Sequence, residues 1–218
     1  MGGSTLVNSE TISVAVVVGQ HSFDVPGFYE LLRGISGIVF YPQTLDNFVA
    51  DFGNAQHQYD VVVFYNYHQS VEEGVEAAVE ALIERGQGIV VWHHGLVAFP
   101  RWSLWSDICG IADRTFTAHK VQRLRVEVAS ADHPIAAGLT GWELTDETYA
   151  MASAGEGGQI LLTTDHPRSM STLAWTRLCR GTRVFCYQSG HDRRVYRDRS
   201  FRTVLGRGVR WAARSLDR

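Results

Sequence analysis

The sequence predicts an α/β domain with a mostly parallel central sheet, and three observations support this prediction. Continuous β-branched runs fill the first half of the chain, helical patterns alternate with them, and an amphipathic helix closes the chain. Such runs are typical of strands buried on both faces of a parallel sheet. With 218 residues, 45% of them hydrophobic, the chain is long enough to bury a large core.

The first half alternates strands and helices. A helix between the third and fourth strands is indicated by Val71, Val75, Ala78, Val79 and Leu82 at helical spacing. Ser70 with Glu73 predicts a capping box, and Gly86 suits the position just past the helix end. Weaker helices are expected around 26–34 and 44–51, so each crossover should be right-handed. The four predicted strands are ISVAVVVG (12–19), GIVFYP (37–42), DVVVFYN (60–66) and GIVVWHHG (88–95).

The second half is less regular. The closing helix, with Ser200 as its expected N-cap, turns Phe201, Val204, Leu205, Gly208 and Ala212 to one face. Because no linker or repeat interrupts the chain, we expect one domain over residues 11–216, preceded by a loose N-terminal tail over residues 1–10. Further strands are predicted at 123–130, 159–165, 171–178 and 182–190.

Composition excludes several classes of protein. A net charge of −3 gives no reason to expect nucleic acid or an anionic membrane as a partner. The three cysteines, Cys109, Cys179 and Cys186, show no Cys-x-x-Cys spacing, so a disulfide framework is not expected and a reducing compartment fits best. No apolar run approaches the roughly 18 residues of a membrane span, and the first residues do not resemble a signal peptide. We therefore expect a cytoplasmic protein.

Polar side chains collect where the predicted strands end, which is where open α/β sheets bind ligands. One histidine at a strand end is more often a structural residue, but several on one edge favour a site. The residues at these ends are Gln20, His21 and Asp24, then Asn66, Tyr67 and His68, then His93 and His94, and finally Ser189, Gly190, His191 and Asp192.

The segment TDETY (145–149) is a second polar cluster. Asp146 and Glu147 are adjacent, so in an extended segment their side chains point opposite ways and only one can face a shared site. The alternative is a solvated acidic turn.

The turn after the fourth strand carries His93 and His94 and no cysteine, which excludes a glutaminase mechanism. Acid–base chemistry by histidine with Asp or Glu remains open. So does metal binding by His21, His93 or His94, and His191 with a carboxylate, although no H-E-x-x-H motif is present.

Several motifs together resemble the ThuA-like (trehalose utilisation) family of the class I glutamine amidotransferase-like superfamily. They are GQHSFD, GQGIVVWHHGLVAFPRW, HPIAAGL, TDETY and GTRVFCYQSGHDRRVYRDRSFRTVLGRGVRWAA, and the resemblance covers about residues 12–214. It implies a flavodoxin-like three-layer sandwich and a role in carbohydrate metabolism on oxidised (3-keto) disaccharides or glycosides. It also implies that His21, His93, Glu147, His191 and Asp192 are site residues.

The leading hypothesis is an enzyme in which His93 or His191 is the general acid or base and Asp192 or Glu147 orients it. The alternatives are a metal-dependent hydrolase and a non-catalytic sugar- or partner-binding module.

We expect His93 to face the site and His94 to support the turn or line the pocket wall. No cofactor is evident, although a divalent metal such as zinc fits. The expected partner is a small carbohydrate, with a homo-oligomer allowed. The substrate-binding candidates are His94, Asn66, Tyr67, Trp102 and Ser189.

Overall fold

A computed structural model describes residues 11–51, 58–155 and 157–216, so the predicted tail over residues 1–10 lies outside the described residues. The described strands are β1 Ile12–Val18, β2 Ile38–Thr44, β3 Val61–Phe64, β4 Gly88–Trp92, β5 Thr117–Val128, β6 Trp142–Ala150, β7 Gly158–Thr163, β8 Thr172–Cys179 and β9 Thr182–Tyr187. The α-helices are α1 Val25–Arg33, α2 Leu45–Ala50, α3 Val75–Glu84, α4 Ser103–Cys109, α5 Arg193–Tyr196 and α6 Arg199–Ala212.

The strands form one mixed sheet in the order β2-β1-β3-β4-β9-β8-β7-β5-β6. Pairing is parallel from β2 through β9 and antiparallel from β9 through β6. The expected mostly parallel sheet is therefore not confirmed. One cause is the two-residue turn Arg180–Gly181 between β8 and β9, whose φ values of 48° and 87° suit a tight hairpin rather than a helical crossover.

Helices cover both faces of the parallel half of the sheet. On β1, Val14 and Val16 join the core under α1, α5 and α6, whereas Ala15 and Val17 join the core under α2, α3 and α4. Alternate residues of one strand thus fill two separate cores, which explains why these strands are apolar throughout.

Two predicted helix starts are wrong. α3 begins at Val75 after Gly74, which makes no side-chain cap, so Ser70 and Glu73 form no capping box. α6 begins at Arg199, and Asp198 is its N-cap in place of Ser200 because its carboxylate accepts the N–H of Phe201 at 2.7 Å. The face predicted for α6 is buried as expected. No helix among the described residues is long and apolar enough to cross a membrane.

Candidate functional site

Three histidines and one carboxylate converge beyond the carboxyl ends of the strands. The Nε2 atom of His93 lies 3.2 Å from Nδ1 of His191 and 3.8 Å from Oε1 of Glu147. His191 Nδ1 lies 3.4 Å from the same carboxylate oxygen. His94 completes the group, in which each residue offers a ligand atom within 4.8 Å of the others. All are buried except His191, which is 22% exposed.

His93 and His94 both reach this cluster because the strand ends at Trp92. His93 has φ +47° and begins a short 3₁₀ helix, His93–Val97. A non-glycine residue in the left-handed region is strained, and such strain is concentrated at functional sites. The alternation of a strand no longer applies here. His94 was expected to support the turn or line the pocket wall, and its ring lies in the cluster beside His93.

Hydrogen bonds fix the orientation of the His93 ring. Nδ1 lies 2.5 Å from the carbonyl oxygen of Gln188, which can only accept, so Nδ1 carries the proton. The lone pair on Nε2 then faces Glu147 and His191. Tyr149 donates its hydroxyl to that nitrogen at 3.1 Å and stacks on the ring. Sequence reasoning missed Tyr149, although it lies two residues after Glu147 and so on the same face of β6.

Asp146 holds the loop that carries His191. Its carboxylate accepts the backbone N–H groups of Gly190 at 2.6 Å, His191 at 3.0 Å and Glu147 at 2.9 Å. Burial raises its pKa to about 6, whereas the three N–H donors favour the ionised form. Asp146 and Glu147 are 3% and 5% exposed, so the alternative of a solvated acidic turn is wrong.

Two tyrosines hold the same loop through its carbonyl groups. Tyr65 donates to the carbonyl of Gly190 at 2.9 Å and Tyr196 to that of His191 at 3.0 Å. Gly190 has φ +136°, and a Cβ there would lie 2.0 Å from Nε1 of Trp92, so only glycine fits. The loop is thus held by side chains on both its N–H and its C=O groups.

The electrostatics of the cluster favour a cation. Burial, together with His93, His21 and His191, holds the pKa of His94 well below its usual value, and both of its ring nitrogens are buried without a partner. Burial and His93 also lower the pKa of His191. Burial alone would raise the pKa of Glu147, but the nearby rings of His93, His191 and His21 lower it. Neutral rings of His94 and His191 therefore face an ionised carboxylate.

This set of residues fits a divalent metal ion. A tetrahedral ion with bonds of about 2.0–2.1 Å holds its ligand atoms about 3.3–3.4 Å apart. The ligand atoms of His93, His191 and Glu147 are 3.2, 3.4 and 3.8 Å apart, which is close to that ligand–ligand distance. A ligating histidine commonly donates its other ring N–H to a backbone carbonyl, as His93 does to Gln188.

His21 lies at the mouth of the cluster and outside the ligand group. Its ring stacks on His94 with centroids 3.8 Å apart, and its Nδ1 is buried without a partner. Burial lowers its pKa, so the ring is neutral at pH 7. Tyr67 lies against His21 and His94, and Phe116 touches Tyr67 and Tyr149, so aromatic side chains rim this mouth.

The structure does not bring the other predicted residues into the cluster. Asp192 is the N-cap of α5 and pairs with Arg194 at 2.7 Å, so Asp146 and Glu147 are the carboxylates at the site. Trp102 packs on Phe99 and Trp105. The amide nitrogen of Asn66 lies 3.1 Å from Nδ1 of His68, and the carbonyl of Ser189 accepts from Trp92.

Arg114 fixes the wall that follows the histidines. It is 4% exposed and donates to the carbonyl groups of Ala98 and Phe99, with longer bonds of 3.4 Å to those of Leu96 and Trp102. One buried guanidinium thereby ties together four carbonyl groups of a short, irregular segment.

Comparison with known proteins identifies the family. The ThuA (Trehalose utilisation) family model matches residues 38–212. The chain belongs to this family. A ThuA-like protein from Parabacteroides merdae superposes with a TM-score of 0.76 at 20% identity, covering 95% of this chain and 92% of that one. A second, from Bacteroides uniformis, gives 0.74 at 16% identity and covers 97% and 95%.

The likeness in fold extends beyond ThuA-like proteins. PurLQS from Thermotoga maritima superposes with a TM-score of 0.54 at 13% identity, covering 91% of this chain and 97% of that one. These identities show a common fold alone. No curated protein matches the sequence.

Proposed function

We propose that this ThuA-family protein is a metal-dependent enzyme of carbohydrate metabolism, with the ion held by His93, His94, His191 and Glu147. The observation that carries the proposal is His94, a buried imidazole with both nitrogens unpartnered inside a group of ligand atoms. A buried polar group without a partner is costly, and an ion would remove that cost. The sugar substrate is drawn from the family, with an oxidised derivative such as a 3-keto-disaccharide or glycoside as the expected class.

A bound divalent ion would polarise a carbonyl or hydroxyl oxygen of the substrate. The residues of the chain supply the rest. His21 is neutral at pH 7 and stands at the mouth, where it can take a proton from the substrate or return one. The Gln188 carbonyl orients His93, and the aromatic side chains at the mouth can pack on a sugar ring.

Elemental analysis tests the proposal. Protein stripped with a chelator and dialysed against Zn²⁺, Co²⁺ or Mn²⁺ should retain about one ion per chain and melt at a higher temperature, because an ion that binds only the folded state stabilises it. H94A should lose the ion, whereas H166A, in the turn between β7 and β8, should keep it. Absence of a bound ion in the wild-type protein would overturn the metal centre.

A metal-free acid–base enzyme is the second candidate, favoured by the hydrogen bond between Tyr149 and His93. Turnover of a keto-sugar panel separates the two, since chelator should abolish turnover by a metal enzyme and leave acid–base turnover intact. Binding of the same sugars without turnover would instead favour a binding module.

A further inference from the structure

The antiparallel pair of β5 and β6 has a β-bulge directly opposite Glu147. His119 pairs with Thr148 and Gln122 pairs with Asp146, so Lys120 and Val121 together oppose the single residue Glu147. Bulges of this kind often lie next to active sites, where they re-aim a side chain.

The bulge is strained and its strain is not offset by local burial. Val121 has φ +53° and is 53% exposed. A β-branched residue in the left-handed region is unfavourable, and an exposed side chain gains little packing in return. The strain therefore points to a function of the neighbouring residue rather than to stability.

Lys120 is unusual in this chain. Of the 20 basic residues, it is the single lysine, and all the others are arginine. It is exposed, and the bulge sets it opposite Glu147, on the side of the site where His21, Tyr67 and Phe116 form the mouth. The pKa of His21 is lowered mainly by burial and also by the charge of Lys120. A lysine differs from an arginine in being a compact point charge on a flexible stem.

We propose that Lys120 is a substrate-binding residue that pairs with a negatively charged carboxylate or phosphate group on the sugar derivative. The inference rests on the proposed function, because it assigns a substrate class to the same site. The bulge would place an ammonium group across the mouth from the His–Glu cluster, so a sugar could present its reacting carbon to the cluster and its anionic group to Lys120.

Binding of gluconate, glucose 6-phosphate and glucose to the wild-type protein, K120Q and K120R tests this by calorimetry. Wild-type protein should bind one of the two anions about tenfold more tightly than glucose, the scale of one charge-assisted hydrogen bond. K120Q should lose that preference and K120R should keep most of it. R123Q removes an exposed cation three residues along β5 and should behave as wild type. The anion that binds more tightly than glucose identifies the group that Lys120 recognises, which is a carboxylate for gluconate and a phosphate for glucose 6-phosphate.

The measurement is made on chelator-treated and on Zn²⁺-loaded protein, since a metal would itself attract anions. The role of Lys120 would be overturned if K120Q still bound an anion more tightly than glucose in both the chelator-treated and the Zn²⁺-loaded protein. Equal binding of all three sugars by the wild type would overturn it as well. Failure of the metal centre appears separately, as absence of bound zinc. Peptide mapping after reaction with an amine-selective reagent adds a second readout. Lys120, the single lysine, should be protected by the preferred anion and should remain reactive in glucose.

Discussion

The parallel and antiparallel halves of the sheet contribute to the site in different ways. The parallel half delivers His93, His94, His191 and His21 from the ends of its strands, as open α/β sheets generally do. The antiparallel half delivers Glu147 and Tyr149 from within β6, and Lys120 from a bulge in β5. The first half thus supplies imidazole nitrogens and the second supplies charged groups, so neither completes the proposed site alone.

The largest effect should come from removing one metal ligand from each half. H94A and E147Q should each lower the affinity for Zn²⁺ by more than about 100-fold, since changes to second-shell partners alone cost about 10–100-fold. Competition with a chromogenic chelator measures this. If E147Q kept its affinity, the histidines of the parallel half would suffice and the comparison between the halves would fail.

A smaller loss of zinc affinity is expected from a change at Asp146, which connects β6 to the loop that carries His191. D146N should weaken zinc binding by about 10–100-fold because the loop carrying His191 loses its ionised acceptor. Cobalt-substituted protein should also show a changed visible spectrum.

T182V is the matched control for D146N. It removes a buried hydroxyl that donates to the carbonyl of Ile83 at 2.9 Å, far from the loop. It should lower stability without changing zinc affinity or the cobalt spectrum. Equal effects of the two variants on zinc would mean that Asp146 acts through general stability.

Relief of strain in the antiparallel half should stabilise the fold. Asparagine tolerates the left-handed region, so V121N is expected to raise the free energy of unfolding by about 1 kcal/mol. Urea denaturation measures the change, and V39N, an exposed valine on β2 without positive φ, is the control. A loss of stability in V121N would show that the bulge is not strained.

The smallest effect is expected at a contact confined to the parallel half. Asp24 caps α1 and bonds Arg193 at 2.6 and 2.8 Å, which lowers the pKa of Asp24 to about 2. D24N keeps a capping side chain and removes the charge, so it should cost about 0.2–1 kcal/mol at pH 7, as for other exposed ion pairs.

The sign of the pH dependence follows from the depressed pKa of Asp24. Its contribution is fully present above the unfolded value near pH 4 and is lost as the pH falls toward 2. The difference between wild type and D24N should therefore shrink between pH 4 and pH 2. A difference independent of pH would assign the effect to the cap instead.

The difference between the parallel and antiparallel halves also explains which parts of the fold and of the site the sequence could predict. Continuous apolar runs located β1, β3 and β4, and the residues after β1 and β4 gave His21 and His93. His191 came from the residues after the predicted strand at 182–190, which is β9. The role of His94 depends on a left-handed φ at His93 that no residue pattern signals. Asp192 was named as a site residue through the family resemblance, whereas Asp146 reaches the loop from β6, which is distant in sequence. Lys120 depends on a register shift that alternation does not predict.

Arg114 holds one wall of the site in a fixed position. Its guanidinium holds the segment after His94 through main-chain carbonyl groups, and it remains protonated throughout the range in which the histidines titrate. A ligand therefore meets a wall that is already ordered before it arrives, and no entropy is lost there when it binds. Under the proposed function, adaptation to different sugars would then fall to the opposite rim, which is formed by Tyr67, Phe116 and Lys120.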